Sequence, residues 1–236
     1  MANETKQYCY EYWRPSVATD CVIFGFDGKK LKVLLIERNL EPFKGCWALP
    51  GGFLRENDKT AEDCALRELK EETNLDVSPD RLWQLGVFSE MNRDPRNRVI
   101  SLAYYALVTP SDVVGGDDAA KAQWFDIDNI PPLAFDHAQI IENARNAIKQ
   151  QIHFEPIGYD LLGEEFTITQ VQTLYETIQG ATYDRRNFAR KIQSSGFLIP
   201  LGKKVVGTAH KAPQLFTCDK TIFKEKARQL KFETKK

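Results

Sequence analysis

Residues 52–75 read Gly-Phe-Leu-Arg-Glu-Asn-Asp-Lys-Thr-Ala-Glu-Asp-Cys-Ala-Leu-Arg-Glu-Leu-Lys-Glu-Glu-Thr-Asn-Leu, and within them Glu68 stands three residues before Glu71 and four before Glu72. That spacing puts the three carboxylates on one face of a helix, where like charges repel. Such a face is either simply solvated or holds a divalent cation, Mg²⁺ favouring a few carboxylate oxygens together with waters and substrate phosphates. The helix is announced locally. Thr60 is a candidate N-cap with Asp63 three residues on; Cys64, Ala65, Leu66 and Leu69 mark an apolar face; Asn74 can end it in the left-handed conformation.

Upstream, Cys21–Phe26 and Lys32–Ile36 are β-branched and aromatic runs separated by Asp27-Gly28-Lys29-Lys30, the pattern of a hairpin with an Asp-Gly turn. Trp47-Ala48-Leu49 and Gly52-Phe53-Leu54 read as short strands around Pro50-Gly51. Downstream, Leu82–Ser89, Val99–Val108 and Ala122–Phe125 resume strand character, and Asp136–Ile152 is an amphipathic helix with Ile140, Ile141, Ala144 and Ile148 on its apolar side. Strands with an inserted and a closing helix predict an α/β or α+β domain over residues 1–152. Residues 153–165, with Pro156, Gly158 and Gly163, read as a semi-ordered linker. Residues 166–236 form a second domain with helices Thr167–Ile178, Asp184–Ser195 and roughly Lys220–Leu230, and a hairpin from Phe197–Leu201 and Leu215–Cys218.

The chain has 236 residues, 42% hydrophobic and 28% charged, a globular composition that excludes disorder and collagen. Its formal charge of −1 hides a split: residues 1–180 carry 18 basic and 29 acidic side chains, residues 181–236 carry 14 and 4. A cation-dense last quarter suggests nucleic-acid contact. The five cysteines are scattered and never form a CxxC pair, which supports neither a disulfide framework nor a zinc site. With no apolar leader and no run long enough for a membrane span, the expected location is the cytoplasm.

Preceded by Gly51, the stretch from Gly52 to Leu75 resembles the Nudix box, G-x5-E-x7-R-E-U-x-E-E-x-G-U. Gly52, Arg67, Glu68, Leu69, Glu71, Glu72 and Leu75 match by type; Asn74 stands where the family has Gly. Asp58 takes the upstream Glu position counted from Gly52, with one extra residue before Arg67. The resemblance implies a Nudix sandwich, a mixed sheet with flanking helices, and hydrolysis of a nucleoside diphosphate linked to another group. It assigns Mg²⁺ or Mn²⁺ to Glu68, Glu71 and Glu72, with Arg67 holding a ligand carboxylate in place, so that these four form the catalytic set. Gly52 and the loop after it let backbone and metal approach the phosphates.

Asp94–Ser101, Gly116–Ala120, Trp124-Phe125 and Leu133–His137 look like the ADP-ribose pyrophosphatase branch and the regulators derived from it. Arg96 and Arg98 either clamp phosphates as bidentate forks or neutralise acids on an exposed loop. Asp117 and Asp118 either supply a general base or further metal ligand, or form a plain turn; Asp118 joins Gly52, Arg96 and Arg98 as a candidate substrate-binding residue. His137 reads as a cap or packed side chain, without a catalytic role.

In the last quarter, Gly180–Tyr183 turns Thr167–Ile178 into a helix N-capped by Asp184. Phe188 and Ile192 face its core, leaving Arg185, Arg186, Asn187, Arg190 and Lys191 outward. This face is either solvated or reads base edges in a major groove. Lys203, Lys204, His210 and Lys211 in the following loop suit phosphates or a narrow minor groove. From Glu165 to Gln172, Asp184 to Phe188 and Lys211 to Phe216, the sequence looks like the winged-helix domain of Nudix-related transcriptional regulators, the NrtR family. The Ala-Pro order in the wing is inverted relative to the usual run.

The resemblance implies a homodimer that senses ADP-ribose or a related nucleotide-sugar or sugar-phosphate effector, binds double-stranded operator DNA and retains Mg²⁺-dependent hydrolysis. The alternative is an ADP-ribose-type pyrophosphatase whose C-terminal domain only aids dimerisation.

Overall fold

The computed structural model describes residues 10–226 other than 112, 117–118, 154 and 206–211, with backbone alone at 160 and 224–226. β1 (Ser16–Phe26) and β2 (Leu31–Arg38) form the expected hairpin. Asp27 Oδ1 accepts from the Lys29 and Lys30 N–H groups at 2.9 and 2.8 Å, and Gly28 takes φ 88°, a conformation glycine adopts without steric cost. β3 (Trp47–Ala48) joins β2, β4 (Gly51–Phe53) joins β1, and β7 (Ala119–Asp126) joins β2, all antiparallel. β6 (Val99–Val108) runs parallel to β1, with β5 (Trp83–Phe88) antiparallel at its edge. The sheet is mixed, as expected.

The central strands are apolar throughout because both sheet faces are covered. Cys21 and Ile23, with Leu34 and Tyr104, pack with Ala65 and Leu69 of α1 (Ala61–Thr73). The alternate residues Val22, Phe24 and Phe26 join Ile140, Ile141, Ala144 and Ile148 of α2 (His137–Gln151). The two-residue period of a strand thus divides one run between two helix layers. α1 opens on a capping box in which Thr60 and Asp63 exchange side-chain-to-backbone bonds (3.0 and 3.1 Å). It closes at Asn74, φ 57°, whose N–H donates to the Lys70 carbonyl.

The second unit comprises α3 (Ile168–Gln179), α4 (Arg185–Ser194), the antiparallel pair β8 (Leu198–Lys204) and β9 (Gln214–Cys218), and α5 (Lys220–Lys226). Residues 227–230, expected to continue α5, lie outside the described residues. Asp184 caps α4 by accepting from the Arg186 and Asn187 N–H groups at 3.1 and 3.0 Å. Phe188 and Ile192 are buried with Tyr175, Phe197 and Phe223 in a cluster continuous with the α2 side of the sheet.

The segment read as a semi-ordered linker is packed. Ile157 and Tyr159 are buried, and Tyr159 lies edge-on to Phe166, Tyr175, Phe197 and Phe223. Between them Gly158 has φ 82°, and a Cβ there would sit 3.0 Å from Leu107 of β6 and 3.2 Å from Leu174 of α3. A side chain at Gly158 would therefore be both strained in its backbone and tight against its neighbours.

Candidate active site and nucleic-acid interface

β4 lies on β1 with Gly52 opposite Thr19 and Gly51 opposite Asp20, so the start of the box is fixed beneath α1. A Cβ on Gly51 would collide with the Thr19 carbonyl oxygen, and one on Gly52 would collide with the Glu68 carboxyl group. Both positions need glycine for closeness. Glu72 Oε2 accepts from the Gly51 N–H at 2.8 Å. Glu68 and Glu72 are only 8% and 6% exposed, which removes the solvated-face reading of this helix.

Arg67 is the hub of the carboxylates. Its Nε and Nη2 donate to Asp58 Oδ1 and Oδ2 at 2.8 and 2.7 Å, while Nη1 donates to Glu68 Oε1 at 2.6 Å and to Glu71 Oε2 at 3.2 Å. The Arg67 fork holds the Asp58 carboxyl well below the usual carboxylate range. Asp58 therefore acts on Glu68 and Glu71 through Arg67, despite the extra residue between them. Arg55, which the sequence reading did not single out, forks onto Glu71 at 3.1 and 2.9 Å. Among the described residues, no three His, Cys, Asp or Glu side chains converge closely enough to hold a metal ion as they stand. The donor type is nonetheless that of a hard divalent cation. Glu68 and Glu72 line one cavity together with Arg55, which holds Glu71 beside them.

That cavity measures about 540 Å³ and is also lined by Arg38, Gly52 and Arg96. A smaller cleft shares Arg38, Gly52 and Arg96 and adds Asp20, Phe135 and His137. Arg96 is held by Asp94 (Nη2 to Oδ2, 2.7 Å), with its guanidinium 5.1 Å from the Phe53 ring centroid and 5.7 Å from that of Phe135. Arg38 lies 4.9 Å from the same Phe135 ring. Arg98 does not join them. Its guanidinium donates to Met91 Sδ at 3.6 Å, and it lines neither cleft. Asp117 and Asp118 lie outside the described residues.

The wall of the smaller cleft includes a buried ionic network that the sequence reading missed. Arg93 forks onto Asp136 at 2.9 and 2.7 Å and reaches Asp20 at 3.1 Å; Ser101 donates to Asp20 Oδ2 at 2.5 Å. His137 Nδ1 accepts from the Leu49 N–H at 2.8 Å, leaving Nε2 toward Asp20 Oδ1 at 3.4 Å. Burial would raise the Asp20 pKa, but His137, Arg93 and Ser101 outweigh it and hold the carboxyl well below its ordinary range. The signal available in the sequence was one acid preceding an otherwise apolar strand. His137 is a packed side chain, as read.

On α4, Arg185, Arg186, Asn187 and Arg190 are exposed and Lys191 is half-buried. Arg190 Nη2 donates to Asn187 Oδ1 at 3.0 Å, which sets the two side chains against each other on the outer face. Lys204 is exposed at the end of β8, and Lys203 is paired with Glu165 at 2.7 Å. His210 and Lys211 lie outside the described residues. No helix among the described residues is long and apolar enough to cross a membrane.

Residues 14–144 match the family profile described as NUDIX domain, and residues 158–218 that described as NrtR DNA-binding winged helix domain. The chain is 47% identical over 132 residues to an ADP-ribose pyrophosphatase of Methanocaldococcus jannaschii, covering 56% of this chain and 74% of that protein. It is 32% identical over 190 residues to an ADPR responsive transcriptional repressor of Acinetobacter baylyi, covering 79% of this chain and 75% of the other. The NrtR of Shewanella oneidensis, solved in complex with a 27mer DNA, matches with a TM-score of 0.70 at 28% identity, over 88% of this chain and 95% of that one.

Proposed function

Because the chain belongs to the Nudix family and carries the winged helix of its NrtR-type regulators, we propose that it is a transcriptional regulator whose Nudix domain binds ADP-ribose or a close relative and whose winged helix binds operator DNA as a homodimer in the cytoplasm. The observation that carries this reading is the seam between the units. Gln179 of α3 donates to the Lys149 carbonyl of α2 at 2.7 Å, and the Tyr175 hydroxyl donates to the Ile152 carbonyl at 3.3 Å. α2 begins at Asp136 and His137, inside the network in the wall of the smaller cleft. One helix thus links the ligand pocket to the domain that displays Arg185, Arg186, Asn187 and Arg190.

We divide the chain at 1–152 and 166–236, with 153–165 as the packed join. In the first part, Arg38 and Arg96 present guanidiniums to a diphosphate, and Gly52 leaves room for it against Glu68. Glu68, Glu71 and Glu72 are the residues to hold Mg²⁺ or Mn²⁺, which when bound orients water and takes up charge developing on the diphosphate. Arg67, fixed by Asp58, keeps Glu68 and Glu71 aimed at that position. Slow hydrolysis of ADP-ribose is part of the proposal, favoured by the similarity to the Methanocaldococcus enzyme.

The test is fluorescence anisotropy of the protein on DNA from upstream of its own gene. Binding is expected to be salt-dependent, weakened in Arg185→Ala/Arg186→Ala, and reversed by ADP-ribose. Unchanged binding by the double variant overturns the regulator reading and leaves the pyrophosphatase alternative, which AMP release from ADP-ribose measures directly.

A further inference from the structure

The two arginines at the carboxylate cluster are built differently. Arg67 is clamped on the far side by Asp58, and its side chain is 21% exposed. Arg55 reaches Glu71 from the open side with its side chain 54% exposed, and its Nη2 also lies 3.6 Å from Glu68 Oε1. Its backbone is anchored, since the Arg55 N–H donates to Asp58 Oδ2 at 2.8 Å. Only the side chain is left to move.

Both Glu71 oxygens are engaged by the Arg55 fork, at 3.1 and 2.9 Å. A cation at Glu71 must displace that guanidinium or share the carboxylate with it, and the two positive groups repel each other and compete for its lone pairs. The same fork matches a phosphate as well as a carboxylate. Arg55 lines the large cavity with Arg38 and Arg96, so a diphosphate lying between those arginines offers it a second docking place.

We propose that Arg55 is a tethered counter-cation of this site: it occupies Glu71 when no nucleotide is present and transfers to the ligand's diphosphate, opening Glu71 to the divalent cation. Cation and nucleotide then bind cooperatively. Metal alone meets an occupied carboxylate, and nucleotide alone draws Arg55 off Glu71 and leaves that carboxylate without its counter-charge. The inference rests on the Nudix-site reading above and adds the residue that couples its two ligands.

The experiment is Mn²⁺ titration of the full-length protein, followed by the electron paramagnetic resonance signal of free Mn²⁺, with and without α,β-methylene-ADP-ribose as a probe that is not cleaved. In the unmodified protein the probe is expected to tighten Mn²⁺ binding about tenfold. Arg55→Gln is expected to bind Mn²⁺ about fivefold more tightly than the unmodified protein in the absence of the probe, and to lose most of the further gain. Arg55→Lys, which keeps the charge without the fork, should fall between them. Equal Mn²⁺ affinity of the unmodified and Arg55→Gln proteins without the probe, or an equal gain on adding it, overturns the role of Arg55 while leaving the metal site intact. Absence of Mn²⁺ binding in both proteins, with and without the probe, overturns the carboxylate site itself and the proposal with it. Glu71→Gln identifies the site, since it must lose the Mn²⁺ that Arg55→Gln binds tightly.

Discussion

Asp58 and Arg67 meet through a two-pronged hydrogen bond, and Arg67 Nη1 donates to both Glu68 and Glu71. Removing Asp58 therefore loosens two carboxylates it never touches. Asp58→Ala is expected to lower the rate of AMP release from ADP-ribose with Mg²⁺ by about ten- to a hundredfold, with a smaller change in KM; an unaltered rate would remove Asp58 from the machinery. Asp20 works on stability. Its carboxyl is held below its ordinary value, so its contribution is present above the unfolded value of about 3.9 and is lost as pH falls toward the folded one. Urea unfolding should show stability level from about pH 7 to pH 5 and falling below about pH 4. Asp20→Asn, which leaves Arg93 short of a buried charge partner, should cost about 3 kcal/mol at pH 7 and flatten that acid limb. An acid limb as steep as that of the unmodified protein would show that other carboxylates dominate. Glu68 was legible from the box spacing, whereas Asp58, one residue out of step with Arg67, needed the Arg67 contact to show its place. Asp20, Arg38, Arg55 and Arg93 were not legible, because nothing local distinguishes an arginine aimed at a cavity from one aimed at water.

Among the elements, local chemistry set most boundaries. The Thr60–Asp63 capping box starts α1, Asn74 ends it, Asp184 starts α4, and Gly180 at φ 63° ends α3. Thr60→Ala should lower thermal stability by about 1 kcal/mol without altering DNA binding, and calorimetry read beside anisotropy separates the two effects. The segment 153–165 misled the reading because Pro156, Gly158 and Gly163 resemble loop punctuation. Its Ile157 and Tyr159 are instead core residues, and Gly158 is required by positive φ and by contact with Leu107 and Leu174. Gly158→Ala is expected to destabilise the protein by about 1–3 kcal/mol, and limited proteolysis should then cut near the join; a protein as protease-resistant as the original would show that the join tolerates strain.

Across the molecule as a whole, the charge split acquires a physical arrangement. The acidic part includes Glu68, Glu71 and Glu72 at one cavity, and the basic part places Arg185, Arg186 and Arg190 on the outer face of α4. If ADP-ribose weakens operator binding by some factor, linkage requires operator DNA to weaken ADP-ribose binding by the same factor. Calorimetric titration of ADP-ribose into free and DNA-bound protein measures that factor, and equal affinity for ADP-ribose in the two states would show that the two sites are not coupled. Arg185→Ala/Arg186→Ala should reduce the slope of log affinity against log salt by about 1 for each phosphate that the variant no longer neutralises.

Most elements and their caps, the mixed sheet between helices, the carboxylate spacing on α1 and the polar face of α4 can be read from the order of residues alone. Each follows from side-chain periods of two or 3.6 residues and from capping chemistry, which act over a few neighbouring positions. Folding in three dimensions was needed to establish that Arg55 pairs with Glu71, that Arg96 but not Arg98 faces the cavity, that Asp20, Arg93, Asp136 and His137 form one network, and that Ile157 and Tyr159 are core. Those contacts depend on how the sheet, α1 and α2 stack. They link residues 16 to 117 positions apart, a separation at which no local period carries information.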